Sequence, residues 1–423
     1  MQKEAATARL SSMTHQRKEG SLLRRALRSR RLWFSLAVVA VVPLILLAVE
    51  VMRWHRLPQG PATISEAAAA SESHEAEQAR KAIHKWMSGR QIAGLSVCVG
   101  AASRVMWCSA LGYADIEERE PLTAQTSMRL GSVSKPVTSI MLARFMERGL
   151  VDLDQPIGQI KPDLPPHLHP VTLRQLASHT AGVRHYRWHL GWPPHETWSR
   201  VPYDSVTESL AAFSEDPLAF PPGSAFAYSS HGYSLLGAVL EQVGGATFGE
   251  LLEREITLPL GLESTELDSP QQAPNRARHY EINRKWYRPA LVVDNSRAWP
   301  GAGIRSSSSD LVKLVSGLTE RGLISGDTLE MMLTPQPLPD GNPNPQNYAL
   351  GWRLAQTQQF LGGHEKYRVA HHGGVSSGSS AFVLLFPDQS FAVAVLANSR
   401  VGSGPLSDLA FEVAEPFMAK IVD

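Results

Sequence analysis

Arg129-Leu-Gly-Ser132-Val-Ser-Lys135-Pro136 opens a long amphipathic stretch, and its reading decides the fold. From Ser132 to about Arg148, apolar residues fall at Val133, Val137, Ile140, Met141, Phe145 and Met146. Spacings of three and four predict a helix with one buried face. Residues three apart share a side of a helix, so the Ser132 hydroxyl and the Lys135 amine can touch. Pro136 is tolerated in the opening turn, where few intrahelical donors are missed. A desolvated, uncharged lysine could accept the serine proton and turn a weak nucleophile into one able to attack a carbonyl. Alone, S-x-x-K is a weak signal, because both residues are common and Ser132 could simply cap a helix.

Two further stretches strengthen it. Tyr228-Ser-Ser230 occurs within Phe220-Pro-Pro-Gly-Ser-Ala-Phe-Ala-Tyr228-Ser-Ser-His-Gly-Tyr-Ser-Leu-Leu-Gly237, and His372-Gly-Gly374 precedes the strand-like run Ala381–Phe386. At these three places the chain resembles the serine β-lactamase and penicillin-binding protein superfamily, and most of all its class C β-lactamase, esterase and D-aminopeptidase branch (peptidase S12-like). That family has S-x-x-K, then Y-x-N, then K-T-G or H-x-G, in this order. Gly149-Leu-Val-Asp-Leu-Asp154, Leu176-Ala-Ser-His-Thr-Ala-Gly182, Leu258-Pro-Leu-Gly261 and Gly301-Ala-Gly303 also look like the family, and the resemblance spans roughly residues 75 to 420. A finer resemblance, to the mitochondrial serine β-lactamase-like subgroup and its bacterial relatives, rests on Val183-Arg-His-Tyr186 and on Ser230 in place of asparagine.

The resemblance implies a serine hydrolase acting through an acyl-enzyme on an amide or ester, without a cofactor or metal. Ser132 would be the nucleophile and Lys135 would take its proton. Tyr228, its pKa lowered by the lysine, would relay a proton to the leaving group. His372 would orient a substrate carboxylate or shuttle a proton, giving a pH limb around 6.5; His371 is its register alternative. Ser230, Gly374 and Val375 would contact substrate, with the Ser132 and Val375 amides holding the oxyanion. Departures from the family pattern are His372 for lysine, Gly373 for threonine and Ser230 for an amide, which weigh against efficient β-lactam hydrolysis. The competing class is a binding or scaffold protein that kept the fold without turnover. Metal-dependent hydrolysis is a third.

Composition fits this reading. Of 423 residues, 43% are hydrophobic, enough for a packed core. Net charge is +1, yet the first 31 residues hold nine Lys/Arg against two Glu, leaving −6 for the rest. A nucleic-acid surface is therefore not expected. Leu32–Val49 is an uncharged run that as a helix would span about 27 Å, near the bilayer core thickness. Arginines just before it favour a cytoplasmic N-terminus. The expected layout is a basic tail (1–31), a transmembrane anchor (32–49), a linker (50–65) and an extracytoplasmic hydrolase domain (66–423). A removed signal peptide or a mitochondrial presequence are the alternatives. The expected partners are the membrane and a small-molecule or peptide substrate; nothing in the sequence sets an oligomeric state.

Within the domain, Thr63-Ile-Ser-Glu66 has the pattern of a capping box opening a helix to about Met87. Gly94–Val99 and Val105–Leu111 read as a hairpin. Residues 136–300 read as mainly helical. Strands are expected at Tyr348–Leu354, Tyr367–His371, Ala381–Phe386 and Phe391–Leu396, and a closing helix over Leu406–Ile421. Strands at both ends around a helical middle predict an α/β (α+β) fold of the β-lactamase/transpeptidase type, with one antiparallel sheet from N- and C-terminal segments flanked by helices. Cys98 and Cys108 face each other across the hairpin; two small buried hydrophobes is the favoured reading and a bridge the alternative. Gly374-Val-Ser376-Ser-Gly378 matches a nucleophile-elbow string, but a strand rather than a helix follows it. His185, His189 and His195 lack the H-E-x-x-H pattern of a zinc helix, and with Tyr186, Trp188 and Trp192 suggest an aromatic loop or lid. His179 reads as a structural histidine.

Overall fold

The computed structural model describes residue 41 and residues 52–58, 64–67, 73–190, 193–357, 360–363 and 366–422. The expected anchor at 32–49 lies outside these apart from Val41, and among the described residues no helix is long and apolar enough to cross a membrane.

The site-bearing body, Leu57–Asp423, is organised by one antiparallel sheet. Its strands are β1 (Ile64–Ala67), β2 (Gly94–Ala101), β3 (Arg104–Asp115), β4 (Arg353–Gln356), β5 (Arg368–Ser376), β6 (Ser379–Phe386) and β7 (Phe391–Ala397). They run in the order β4-β5-β6-β7-β2-β3-β1, so the first hairpin is inserted beside the last strand. Pairing of Val395 with Val97 and of Ala394 with Cys98 closes this junction between the chain's two ends. β2 and β3 are joined by Ala102 and Ser103, both at positive φ (47° and 63°), the geometry of a type I′ hairpin turn.

Alternation along these strands sorts side chains into two layers. Leu95, Val97, Val99, Leu384, Val393 and Val395 face helices α1 (His74–Met87) and α5 (Ser403–Val422), where Ile83, Leu406, Val413 and Phe417 meet them. Cys98, Ala110, Val383, Leu385 and Leu396 face the helical middle of the chain. There α2 (Ser134–Glu147) is the axis, packed with α3 (Ser230–Gly244) and α4 (Ser308–Val315) into the same core cluster.

Four expectations change. Ile64–Ala67 is a strand on β3 and not the start of a helix; α1 begins at His74, capped by Ser73, whose hydroxyl accepts from the Ala76 amide at 3.1 Å. The edge of β3 offers that segment a backbone ladder, which a lone capping pattern cannot match. α2 is buried on nearly every side, Ser134, Lys135, Thr138 and Ser139 included, because it is enclosed between the sheet layer and other helices. Tyr348–Leu354 is a strand only from Arg353. Cys98 and Cys108 are directly opposite in the register, with Cα atoms 4.1 Å apart, and are joined as a disulfide.

Phe417 is buried, its ring tilted against that of Trp107 with centroids 5.9 Å apart, tying α5 to the sheet. Phe417→Ala should lower unfolding free energy by about 3–5 kcal/mol. Urea denaturation measures it, and a loss of under ~1 kcal/mol would show that α5 is no part of the cooperative core.

Candidate active site

Ser132 lies in a 3₁₀ turn, Gly131–Val133, that runs directly into α2. The turn is pressed against β5. A Cβ on Gly374 would fall 1.9 Å from the Leu130 carbonyl oxygen and 3.0 Å from the Ser132 amide nitrogen. A Cβ on Gly131, itself at φ +52°, would fall 2.7 Å from the Val375 nitrogen. Glycine at both positions lets the Ser132 and Val375 amides come together, as an oxyanion pair requires. Val375 is half-exposed at the mouth of the site.

Lys135 is wholly buried one turn further on. Its Nζ stands 3.4 Å from Ser132 Oγ, 2.9 Å from Ser230 Oγ and 2.8 Å from the Gly301 carbonyl oxygen. No carboxylate pairs with it among the described residues. Burial, reinforced by the nearby Arg353 charge, holds its pKa well below the ordinary lysine value. A neutral amine has two N–H bonds and one lone pair. Ser230 and Gly301 accept the two N–H bonds, which leaves the lone pair for the Ser132 hydroxyl. Thr138 Oγ1 donates to the Pro300 carbonyl at 2.7 Å, fixing the Pro300–Gly301 peptide.

Tyr228 ends the loop before α3, and the Lys135 Nζ lies 4.7 Å from its ring centroid. Its hydroxyl reaches both Ser132 and Arg353. The expected lowering of its pKa is not found: burial pushes the phenol up to about 12, and Ser132 and Arg353 only temper this. An uncharged lysine has no field with which to acidify a phenol. Tyr228 is thus a protonated donor at neutral pH.

His372 is buried on β5 beside the site, its ring 6.3 Å from that of Tyr228. His371 points to the opposite face and stacks on Phe382, so of the two it is His372 that stands beside Tyr228. The expected titration near 6.5 fails here too. Burial first, then the Arg353 charge, hold the His372 pKa well below the ordinary value. Its Nδ1 donates to the Gly373 carbonyl at 2.7 Å, and Nε2 accepts from Tyr348 Oη at 3.0 Å and Arg353 Nη1 at 3.2 Å. With both nitrogens engaged, it holds an arginine in place.

Arg353 escaped the sequence reading. Its guanidinium lies 5.4 Å from the Tyr228 ring and is held by the neutral Gln346, Nη2 donating to Oε1 at 2.8 Å. No ion pair involves it among the described residues. A single arginine on a strand has no spacing signature; it meets the site through its long side chain, which reaches His372 on the neighbouring strand. Tyr348, fully buried, was missed for the same reason.

The two histidines after Leu176 cap α3. Ser229 N donates to His179 Nδ1 at 3.2 Å and Ser230 N to His185 Nδ1 at 3.1 Å. His179 is structural as expected, buried among Tyr228, Tyr233 and Tyr348. His195 Nδ1 pairs with Thr197 and is not directed at His185. Tyr186 is half-buried against His185, Trp188 is exposed, and Trp192 lies outside the described residues. Ser376 ends β5 at a tight turn into β6, so Gly374–Gly378 is a hairpin and not an elbow.

A sequence model of the β-lactamase family matches residues 77–415. The chain belongs to that family. It is 28% identical to the mouse mitochondrial serine β-lactamase-like protein LACTB, over 81% of this chain and 78% of that one. It is 25% identical to penicillin-binding protein 4* of Bacillus subtilis, over 72% and 68% of the two chains. Among solved structures, D-amino acid amidase from Ochrobactrum anthropi superposes with a TM-score of 0.67 at 20% identity, covering 82% of this chain and all of that one. The β-lactamase family fold thus accounts for the sheet built from both chain ends and for the turn at Ser132 that runs into α2.

The buried lysine makes stability depend on pH. Between its depressed folded pKa and the ordinary value of about 10.4, the unfolded chain binds one more proton than the folded one. Stability attributable to Lys135 therefore rises with pH through that window. In Lys135→Met this rise should vanish when unfolding midpoints are compared across pH; an unaltered slope would show that Lys135 is charged in the folded chain.

Proposed function

We propose that this chain is a serine hydrolase that works through an acyl-enzyme on amides or esters, and that its body is tethered to a membrane by residues 32–49. The observation that supports the chemistry is a fully buried amine 3.4 Å from the Ser132 hydroxyl, its other contacts being the Ser230 hydroxyl and the Gly301 carbonyl and no carboxylate among the described residues. In this reading Ser132 Oγ attacks the carbonyl carbon as its proton passes to Lys135 Nζ. The oxyanion forms against the Ser132 and Val375 amides. The proton returns through Tyr228 to the leaving nitrogen or oxygen, the carbon–heteroatom bond breaks, and water later hydrolyses the ester on Ser132.

Arg353 favours substrates with a carboxylate, since its guanidinium stands beside the site with only neutral partners. His372 and Gln346 are its positioning residues. The Cys98–Cys108 bridge favours an oxidising compartment, in keeping with an extracytoplasmic body.

A fluorophosphonate or fluorescent penicillin should label the purified chain, and Ser132→Ala should abolish labelling. Persistent labelling in that variant, or none in the parent, supports the scaffold reading instead. The labelling rate should climb with pH as Lys135 loses its proton and stay high until Tyr228 ionises at about 12. His372→Gln should slow labelling without moving the ascending limb; a displaced limb would restore His372 as the titrating group.

A further inference from the structure

His185 is poised in one protonation state with one free bond. Its Nδ1 sits 3.1 Å from the Ser230 backbone nitrogen. A backbone N–H only donates, so Nδ1 must be the unprotonated nitrogen and the ring proton must be on Nε2. A second proton on Nδ1 would collide with that N–H, at the positive end of the fifteen-residue helix Ser230–Gly244. Burial of the inner edge of the ring pushes its pKa down to about 4. The outer edge is open: the residue is exposed, and among the described residues Nε2 has no hydrogen-bond partner. The ring stands against Tyr228, with centroids 5.7 Å apart. Ser230, which His185 caps, binds Lys135 at 2.9 Å. A neutral, oriented N–H donor is thus presented at the mouth of the candidate site, beside the Ser132–Lys135–Tyr228 group.

We propose that His185 Nε2–H is a specificity-determining hydrogen-bond donor that takes a carbonyl oxygen of the substrate's acyl portion, so that the site selects N-acylated substrates over those with a free α-ammonium. This rests on the acyl-enzyme reading above. A donor that cannot become an acceptor rewards an amide oxygen and repels an ammonium group, which would bring further N–H bonds to a place already facing the Lys135 side of the cleft. The carboxylate expected at Arg353 and the acyl oxygen at His185 would then be recognised by different groups in contact with Tyr228.

The test compares p-nitrophenyl N-acetylglycinate with p-nitrophenyl glycinate by kcat/KM. The parent chain should favour the acetylated ester by about tenfold, the upper end of what one hydrogen bond contributes. His185→Ala should pull that ratio towards one, mainly by raising KM for the acetylated ester. His185→Gln should restore it, because its amide offers the same pairing of an acceptor for Ser230 N with a neighbouring donor. His185→Glu keeps the acceptor, lacks the donor, and should favour the ammonium ester. The ratio is insensitive to a uniform loss of activity, which is what a purely capping role would produce. Failure of the parent to be labelled at Ser132 by a fluorophosphonate would remove the acyl-enzyme reading itself. A labelled parent with no preference between the esters, or a His185→Gln ratio equal to that of His185→Ala, would overturn the proposal for His185 alone.

Discussion

Everything at the site follows from placing one lysine where its charge cannot survive. Lys135 is enclosed in a helix that is itself enclosed, and the groups nearest its Nζ are a serine hydroxyl, a peptide carbonyl and tyrosine rings. A carboxylate in that place would stabilise the fold, and it would also fix the amine as an ammonium ion with no lone pair. Hydroxyl and carbonyl acceptors satisfy two N–H bonds without raising basicity, so desolvation dominates. The large buried core supplied by the two sheet faces is what offsets this cost. The same enclosure explains why Tyr228 and His372 titrate away from neutrality: a group that cannot be solvated, facing an uncharged amine, keeps its neutral form.

The second constraint is steric. Ser132 and Lys135 belong to a helix fed by the N-terminal half of the chain, whereas Val375 and His372 lie on a strand from the C-terminal half. The sheet order, with β7 paired to β2, is what lets the two halves meet. Gly131 and Gly374 then allow two backbones to approach at distances that any side chain would forbid. Position 373, where the family has threonine, is used differently here: a Cβ on Gly373 would fall 2.4 Å from Ser403 Cβ, so α5 occupies the room a side chain would need. The loss of that hydroxyl is therefore built into the packing of the closing helix.

Legibility followed the range of the interaction. Ser132 and Lys135 could be read because three residues along a helix is a local spacing. The hairpin around Ala102–Ser103 and the C-terminal strands could be read because alternation is local too. Tyr228 and His372 came from motif likeness, and their protonation was misjudged because burial is a property of the whole fold. Arg353 and Tyr348 had no local signal at all; only the tertiary contact of both with His372 brings them to the site. Ile64–Ala67 shows the reverse error, where a plausible local capping pattern lost to a sheet edge that the sequence does not display.

With the pKa values of Lys135, His372, His179 and His185 lowered and that of Tyr228 raised, Arg353 is, among the described residues, the one group in contact with the ring of Tyr228 that keeps a full charge. A cation in poorly solvated surroundings exerts a stronger field than one in water. In the proposed mechanism it would draw anionic substrates towards the cleft, and it depresses the basicity of Lys135. Recognition and activation are therefore coupled in the proposed mechanism. A substrate carboxylate that neutralises Arg353 would raise the basicity of Lys135 at the moment the serine proton must be accepted, so that binding a correctly charged substrate strengthens the base that attacks it. Neutral esters would leave that coupling unused and should react through a weaker base at equal occupancy.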